Sequence, residues 1–316
     1  MAYKKVICCI LFVLLLSSCF AHTKVKDEES IKEENEEEVV QKGNEIVEMK
    51  MLNSGYPMPI LGLGTWTLRN EVAENSVYTA LKDGYRLIDT ARYYANESEV
   101  GKAIQRAIEE GICSREEIFI TTKIMPGDAR RAKEAIEESL KDLQVDYIDL
   151  LLIHQPGSND EEVYKAMEDA VHEGKVHSIG ISNYYTKEAV EEVLGYATIT
   201  PAVIQNENHI YYQNTELMNY VKENGIVLES WYPFGGRGNT KENFEHPTIV
   251  ELAEKYHKTA AQIILRWHIQ AGYIVIPGSS NAEHIKENAE IFDFELTDED
   301  MEKIHSIDMQ KRYENW

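Results

Sequence analysis

The sequence predicts an α/β fold of eight successive strand-then-helix units, and three observations lead there. From Ile46 onward, short runs rich in Ile, Val and Leu alternate with longer segments whose apolar residues recur at helical period. Tyr147–His154 is nearly continuous apolar, as a strand buried on both faces of a parallel sheet should be. Gly84, Gly111, Gly174 and Gly225 each follow a helical run at the place where a left-handed cap belongs. Eight such units joined by right-handed crossovers make either a closed (β/α)8 barrel or a doubly wound open sheet, and periodicity leaves both open. About 270 residues follow an atypical N-terminal stretch, which suits one barrel of roughly 250 residues.

In chain order, a basic head, Met1–Lys5, precedes an apolar run, Val6–Leu16. That run is shorter than the roughly 20 residues a bilayer-spanning helix needs. With small residues before a break it reads as a secretory signal. Leu16-Ser17-Ser18-Cys19 resembles the bacterial lipobox, in which the cysteine becomes the lipidated first residue; an uncleaved anchor or a misassigned start codon is the alternative. Residues 20–45 are acidic and almost without apolar side chains, so they bury too little surface to offset ordering and are expected to form a disordered tether. The expected organisation is therefore 1–19 signal, 20–45 tether and 46–316 a single barrel-sized domain.

Met49–Pro59 reads as a hairpin with Asn53-Ser54-Gly55 at its turn. Strands are then expected at Ile60–Gly64, Tyr85–Asp89, Ile118–Lys123, Tyr147–His154, Ser178–Ser182, Val203–Glu207, Val227–Trp231 and Ile274–Pro277. Between them the spacing predicts helices over Glu71–Asp83, Ser98–Glu110, Arg130–Leu143, Asp160–Glu173, Lys187–Leu194, Thr215–Glu223 and Thr259–Gln270. No internal repeat is visible.

Composition narrows the function classes. A net charge of −23 argues against nucleic acid and against electrostatic binding to anionic lipid. If Cys8 and Cys9 leave with a signal and Cys19 carries lipid, Cys113 remains alone, so no internal disulfide is expected. No Cys-x-x-Cys or His-Glu-x-x-His spacing occurs, and no metal site is expected.

In a barrel, catalytic residues come from the C-terminal ends of strands and the loops after them. Polar residues gather at those places here: Asp89, Lys123, His154, Ser182-Asn183, Gln205 with Glu207, and Trp231. Asp89 and Tyr94 with Lys123 and His154 resemble the site of the aldo-keto reductases, and that resemblance implies reduction of a carbonyl, which needs hydride on carbon and a proton for the developing alkoxide. Tyr94 is a candidate acid, but a free phenol has a pKa near 10 and needs tuning. A nearby Lys123 ammonium is expected to lower it, with Asp89 pairing the lysine and His154 donating a hydrogen bond to the substrate oxygen. Taken singly, Tyr94 is as well read as a packing aromatic and Lys123 with Asp89 as an ordinary ion pair. In register together they are a site.

Asp89-Thr90-Ala91-Arg92-Tyr93-Tyr94-Ala95-Asn96-Glu97 resembles a signature of the aldo-keto reductases. Leu61–Trp66, Thr121-Thr122-Lys123, Ile153–Pro156, Gly180–Tyr184 and Ile276–Ser279 resemble that family's other blocks, in order from about Met49 onward. The resemblance implies a (β/α)8 barrel with an N-terminal hairpin closing its bottom, and reduction of small aldehydes and ketones by NADPH. It implies Asp89, Tyr94, Lys123 and His154 as the catalytic residues. It further implies carboxamide contacts from Ser182, Asn183 and Gln205, stacking by Trp231, and cofactor contacts from Thr65, Phe234, Ser279, Asn281, His284, Glu287 and Asn288. The dinucleotide would lie extended over the barrel mouth, so the Gly-x-Gly-x-x-Gly fingerprint, missing here, is not needed.

The sequence departs from the family pattern at several places. Gly278 and His284 stand where most members hold the 2′-phosphate with lysine and arginine. A lost charge-assisted contact costs about 1.5–3 kcal/mol, on the order of tenfold or more in affinity, so NADH enters as an alternative cofactor. Met125 and Gln155 replace tryptophans of the substrate pocket beside Trp66, and the walls are expected to be less aromatic. The cofactor-covering segment after Phe234 and the tail after Ile307 are short, which favours small carbonyl compounds over steroids. A sensor or a displayed scaffold is the competing class of function, set against the retained quartet. A monomer on the surface of a membrane, held by lipid at Cys19, completes the expectation.

Overall fold

The computed structural model describes residues 39–42 and 45–315. The expected signal at 1–19, the lipid-bearing Cys19 and the tether from 20 to 38 lie outside the described residues. The far end of that tether is not irregular: β1 (Val39–Lys42) pairs antiparallel with β2 (Glu45–Met51). Val39-Val40 is a β-branched pair in an otherwise polar stretch, which is the local reason for a strand there. Strand β2 then pairs antiparallel with β3 (Pro57–Pro59), giving the expected hairpin. Its turn is closed by Leu52 N–H donating to Tyr56 O at 3.0 Å, with Gly55 in the left-handed region at φ +86°.

Eight short strands follow: β4 (Gly62–Gly64), β5 (Leu87–Asp89), β6 (Phe119–Ile124), β7 (Ile148–Ile153), β8 (Val176–Ser182), β9 (Val203–Glu207), β10 (Val227–Trp231) and β11 (Ile274–Val275). Each pairs in parallel with the next, in chain order. Leu61 bridges in parallel to Val275, Val275 N–H donates to Ile60 O at 3.0 Å, and Gly64 N–H donates to Pro277 O at 3.2 Å. The last strand thus meets the first and the sheet closes into a barrel. At that seam a Cβ on Gly64 would lie 2.7 Å from the Ile276 carbonyl oxygen, so only glycine lets the two edges approach. All six residues of β7 are buried, as its apolar run predicts.

Helices α1 (Asn70–Lys82), α2 (Glu97–Glu109), α3 (Ala132–Leu143), α4 (Asp160–His172), α5 (Lys187–Tyr196) and α6 (Thr215–Glu223) fill the first six connections. Gly84, Gly111, Gly174 and Gly225 all have φ between +68° and +96°, so the four expected stops are real. Arg130 and Arg131 belong to a 3₁₀ turn, Pro126–Arg131, rather than to α3; proline at the first position suits such a start. Beyond β10 lie α7 (Thr240–Phe244), α8 (Pro247–Tyr256), α9 (Ala260–Gln270), α10 (Ala282–Ala289) and α11 (Asp298–His305). Only α9 among these is expected from periodicity. α7 is five residues long, and α10 and α11 bury a single apolar residue each, Ile285 and Ile304, too few to print a period.

Candidate active site

At the C-terminal mouth of the barrel the four candidate residues converge. Lys123, 1 % exposed, donates from Nζ to both carboxylate oxygens of Asp89 at 2.7 Å and to Thr90 O at 2.9 Å. Its remaining contact is with the Tyr94 hydroxyl at 3.3 Å. Tyr94 reaches it from a 3₁₀ turn, Arg92–Tyr94, directly after β5. Asn96 fixes that turn: its side-chain nitrogen donates to Thr65 O and Leu68 O, while its oxygen accepts from Thr90 Oγ1 at 2.7 Å. His154 follows β7 and sets its ring edge-on to Tyr94, 5.4 Å between centroids. Trp66 covers the other side of Tyr94 at 4.8 Å.

The electrostatics correct one expectation. Burial pushes the Tyr94 phenol up to about 12, and the Lys123 ammonium lowers it only in part. The sequence predicts a lowered pKa because it shows the lysine but not the desolvation. Burial also works against the Lys123 ammonium, yet Asp89 and Tyr94 together hold it above the usual lysine range. His154 is pushed down to about 3 by burial and then by Lys123, so its imidazole is neutral. A neutral imidazole, a protonated phenol and a fixed ammonium at one point can orient a carbonyl oxygen and give it a proton.

A cleft of about 560 Å³ opens over these residues and runs from Trp66 to His284. Its walls include Asp89, Tyr94 and His154, then Ser182, Asn183, Gln205, Trp231 and Phe234, and at the far end Ser279 and Asn281. Trp66, Met125 and Gln155 line it as well. A profile of the aldo/keto reductase family matches residues 60–309, the whole barrel. The chain belongs to the aldo/keto reductase family.

Similar proteins agree. An NAD(P)H-dependent D-xylose reductase of Candida tropicalis is 39% identical over 301 residues, covering 83% of this chain and 93% of that one. An NADH-dependent D-xylose reductase of Candida parapsilosis is 37% identical over 305 residues, covering 84% and 94%. Among solved structures, the aldo-keto reductase MGS-M4 from a deep-sea metagenome library superposes with a TM-score of 0.81 at 41% identity, covering 84% of this chain and 97% of that one. The protein is an NAD(P)H-dependent reductase of aldehyde and ketone groups, with NADPH as cofactor and NADH as the alternative.

An aldo/keto reductase must hold a dinucleotide, and the cleft fits one. Trp231 presents a half-buried indole whose Nε1 has no partner among the described residues, and Gly278 offers bare backbone. Asn183 sits at φ +68°, a left-handed turn that asparagine tolerates. Its side-chain nitrogen donates to His154 O at 2.8 Å, tying this part of the cleft wall to the residue that follows β7. Asn281 caps α10 by accepting from Glu283 N–H at 2.9 Å.

Three expected cofactor residues do not reach the cleft lining. Thr65 is fully buried behind it, Glu287 accepts from Thr259 Oγ1 at 2.7 Å, and Asn288 is buried beneath α10. One turn after His284 on α10, Glu287 is held by this bond to Thr259 at the start of α9, and the Asn288 side chain is buried. Glu207, counted among the polar strand ends, is turned to the C-terminal segment instead. Beside Met125 and Gln155 the walls still carry aromatic rings: Tyr93 and Tyr232 line the cleft, and Tyr93 is 6.0 Å from Trp66 in a stacked pair. The segment after Phe234 is not bare loop either. It contains α7, and Gly236, Arg237 and Thr240 lie over the cleft. Sequence reasoning also passes over Glu229, fully buried beside Gln205.

Proposed function

We propose that Tyr94 is the proton donor of this reductase, that Lys123 and Asp89 hold its hydroxyl in place, and that His154 orients the substrate carbonyl. The observation that carries this reading is the contact between Tyr94 and a fully buried Lys123–Asp89 pair at the mouth of the cleft. Reduced nicotinamide, when bound, supplies the hydride. His154 donates to the carbonyl oxygen, and Tyr94 transfers its proton there as the carbon takes up hydride. The resulting phenolate is stabilised by the Lys123 ammonium until solvent returns a proton. Ser182, Asn183, Gln205 and Trp231 line the cleft where they would hold the nicotinamide end of the cofactor.

The substrates are small or medium carbonyl compounds that fit between Trp66, Tyr93 and Met125, of the size of the D-xylose named for the relatives. Oxidation of NADPH and NADH by purified protein with a panel of aldehydes tests the reading. Turnover that disappears in Tyr94→Phe while dinucleotide binding persists supports it; turnover that survives removes Tyr94 as the donor.

A second proposal concerns residues 1–45. A basic head, the apolar run Val6–Leu16 and Leu16-Ser17-Ser18-Cys19 support export of a bacterial lipoprotein tethered to a membrane by lipid at Cys19, and likeness to the aldo-keto reductases supports a monomer. Labelled palmitate incorporated by the full chain but not by Cys19→Ser is the expected result. Equal labelling of both, or none, refutes the anchor.

A further inference from the structure

Behind the cleft wall lies a carboxyl group that the chemistry above does not use. Glu229, in the middle of β10, is fully buried and stands in register with Gln205 of β9. Gln205 Nε2 donates to Glu229 Oε2 at 2.6 Å and to Asp89 Oδ2 at 2.7 Å. Two acidic groups therefore face one amide nitrogen. An amide turned over would set its own carbonyl oxygen against both, and Asp89 has no proton to offer it. The surroundings impose nitrogen inward. Gln205 also lines the cleft, and with its nitrogen engaged behind the wall its Oε1 is the polar atom left for the cleft.

We propose that Glu229 is a positioning residue: together with Asp89 it locks Gln205 nitrogen-inward, so that the Gln205 carbonyl oxygen accepts from the carboxamide N–H of the cofactor. The proposal rests on the dinucleotide-binding reading of the cleft. Asp89 alone is a weaker lock, because both its oxygens already accept from Lys123 at 2.7 Å. Glu229 supplies the second acceptor without adding a second buried charge. The groups around it are Asp89, Lys123 and Gln205, and burial, reinforced by the Asp89 charge, pushes its pKa up to about 8. At neutral pH it is mostly the neutral acid, whose carbonyl oxygen still accepts from Gln205. Orienting the carboxamide fixes which face of the nicotinamide ring meets the substrate, so the lock bears on the stereochemistry of transfer.

A cofactor analogue tests this without turnover. In the 3-acetylpyridine analogue of NAD⁺ a methyl group replaces the carboxamide nitrogen, so it has no proton to give Gln205. Titrating tryptophan fluorescence of the full chain, wild type should bind NAD⁺ about three- to tenfold more tightly than the analogue, the worth of one hydrogen bond. Glu229→Leu should bring the ratio within about twofold, and Glu229→Gln should restore it, because its carbonyl oxygen still accepts. A purely space-filling Glu229 would leave the ratio unchanged in Glu229→Leu, and that result overturns the proposal. So does equal binding of both probes by wild type, an arm that needs no variant. Glu229→Met repeats the comparison if the leucine variant fails to fold. Should neither of these nor NADP⁺ bind, the cofactor reading of the cleft falls too, which separates the two failures; if only NADP⁺ binds, the comparison is run with NADP⁺ and its 3-acetylpyridine analogue.

Discussion

Lys123 is the residue on which the site is most exposed to damage. Its ammonium is buried with Asp89 as its ion-pair partner, so Lys123→Met would leave a carboxylate without a counter-charge. Breaking a buried pair from one side costs about 3–5 kcal/mol. We therefore expect Lys123→Met to lower the midpoint of urea unfolding strongly, and Lys123→Met/Asp89→Asn to recover part of that loss. A single variant as stable as wild type would contradict the pair. His154 sets a second prediction, on pH. Since burial and Lys123 hold it near 3, it stays neutral well below pH 6, and kcat at saturating cofactor should show no loss from histidine protonation between pH 7 and 5. An inflection near pH 6 that vanishes in His154→Gln would show the ring titrating normally. The quartet could be found from sequence because each member ends a strand or follows one, inside a recognisable block. Glu229 could not. It sits mid-strand in Val227-Leu228-Glu229-Ser230-Trp231, and only the register with β9 reveals that it meets Gln205.

Among the elements, the least foreseeable is the C-terminal segment, which acts as a brace for the cofactor wall. Tyr313 N–H and Glu314 N–H both donate to the buried Glu207 carboxylate, at 2.6 and 3.2 Å. The Arg312 guanidinium lies 3.5 Å over the Tyr185 ring, and Tyr185 donates to Asn183 Oδ1 at 2.9 Å. On the other side Lys311 and Tyr313 hold Glu242 of α7, the short helix beside the cleft. The same few residues therefore steady both Asn183 and the covering segment. We expect Arg312→Ala/Tyr313→Ala to weaken NADPH binding by about three- to tenfold, one or two hydrogen bonds' worth. Unchanged affinity in a fluorescence titration would reduce the segment to a passive cover. Sequence cannot show the brace because its partners, Glu207, Tyr185 and Glu242, are scattered along the chain and carry no shared period. At the opposite end of the cleft the outcome is the reverse, since Gly278 and His284 are visible from sequence and both line it. Gly278→Lys/His284→Arg should raise NADPH affinity relative to NADH by about tenfold, read in the same titration. The gain is limited by room, because a Cβ at 278 meets the Gly64 carbonyl oxygen at 3.0 Å.

For the whole molecule, the closed barrel explains why so many ionisable groups end up dry. Periodicity leaves the open sheet and the barrel equivalent; the contacts of Ile60, Leu61 and Gly64 with the last strand decide between them, and no local pattern encodes that seam. Glu229 is buried inside the barrel, His268 is buried on α9 and His154 is partly buried in the cleft wall, and stability acquires a pH dependence of known sign. His154 and His268 are held near 3 and 4, so below pH 6.5 the unfolded chain binds protons that the native protein refuses, and stability falls with pH. Glu229 works in the opposite sense. With its pKa near 8 the native protein keeps a proton that the unfolded chain releases near 4.5, so its contribution is lost steadily as pH rises towards 8. One such proton is worth about 1.4 kcal/mol per pH unit. Above pH 6.5 the histidines no longer contribute, and what remains includes the loss from Glu229 and from other buried carboxyls such as Glu97, whose pKa burial also raises. Replacing Glu229 by glutamine removes that titration while keeping the acceptor for Gln205. Melting curves at pH 5, 6.5 and 8 should therefore show Glu229→Gln gaining on wild type as pH rises, with the largest margin at pH 8. A margin that stays constant across the three would mean that Glu229 titrates as an ordinary carboxylate, in contact with water that the closed barrel is built to exclude.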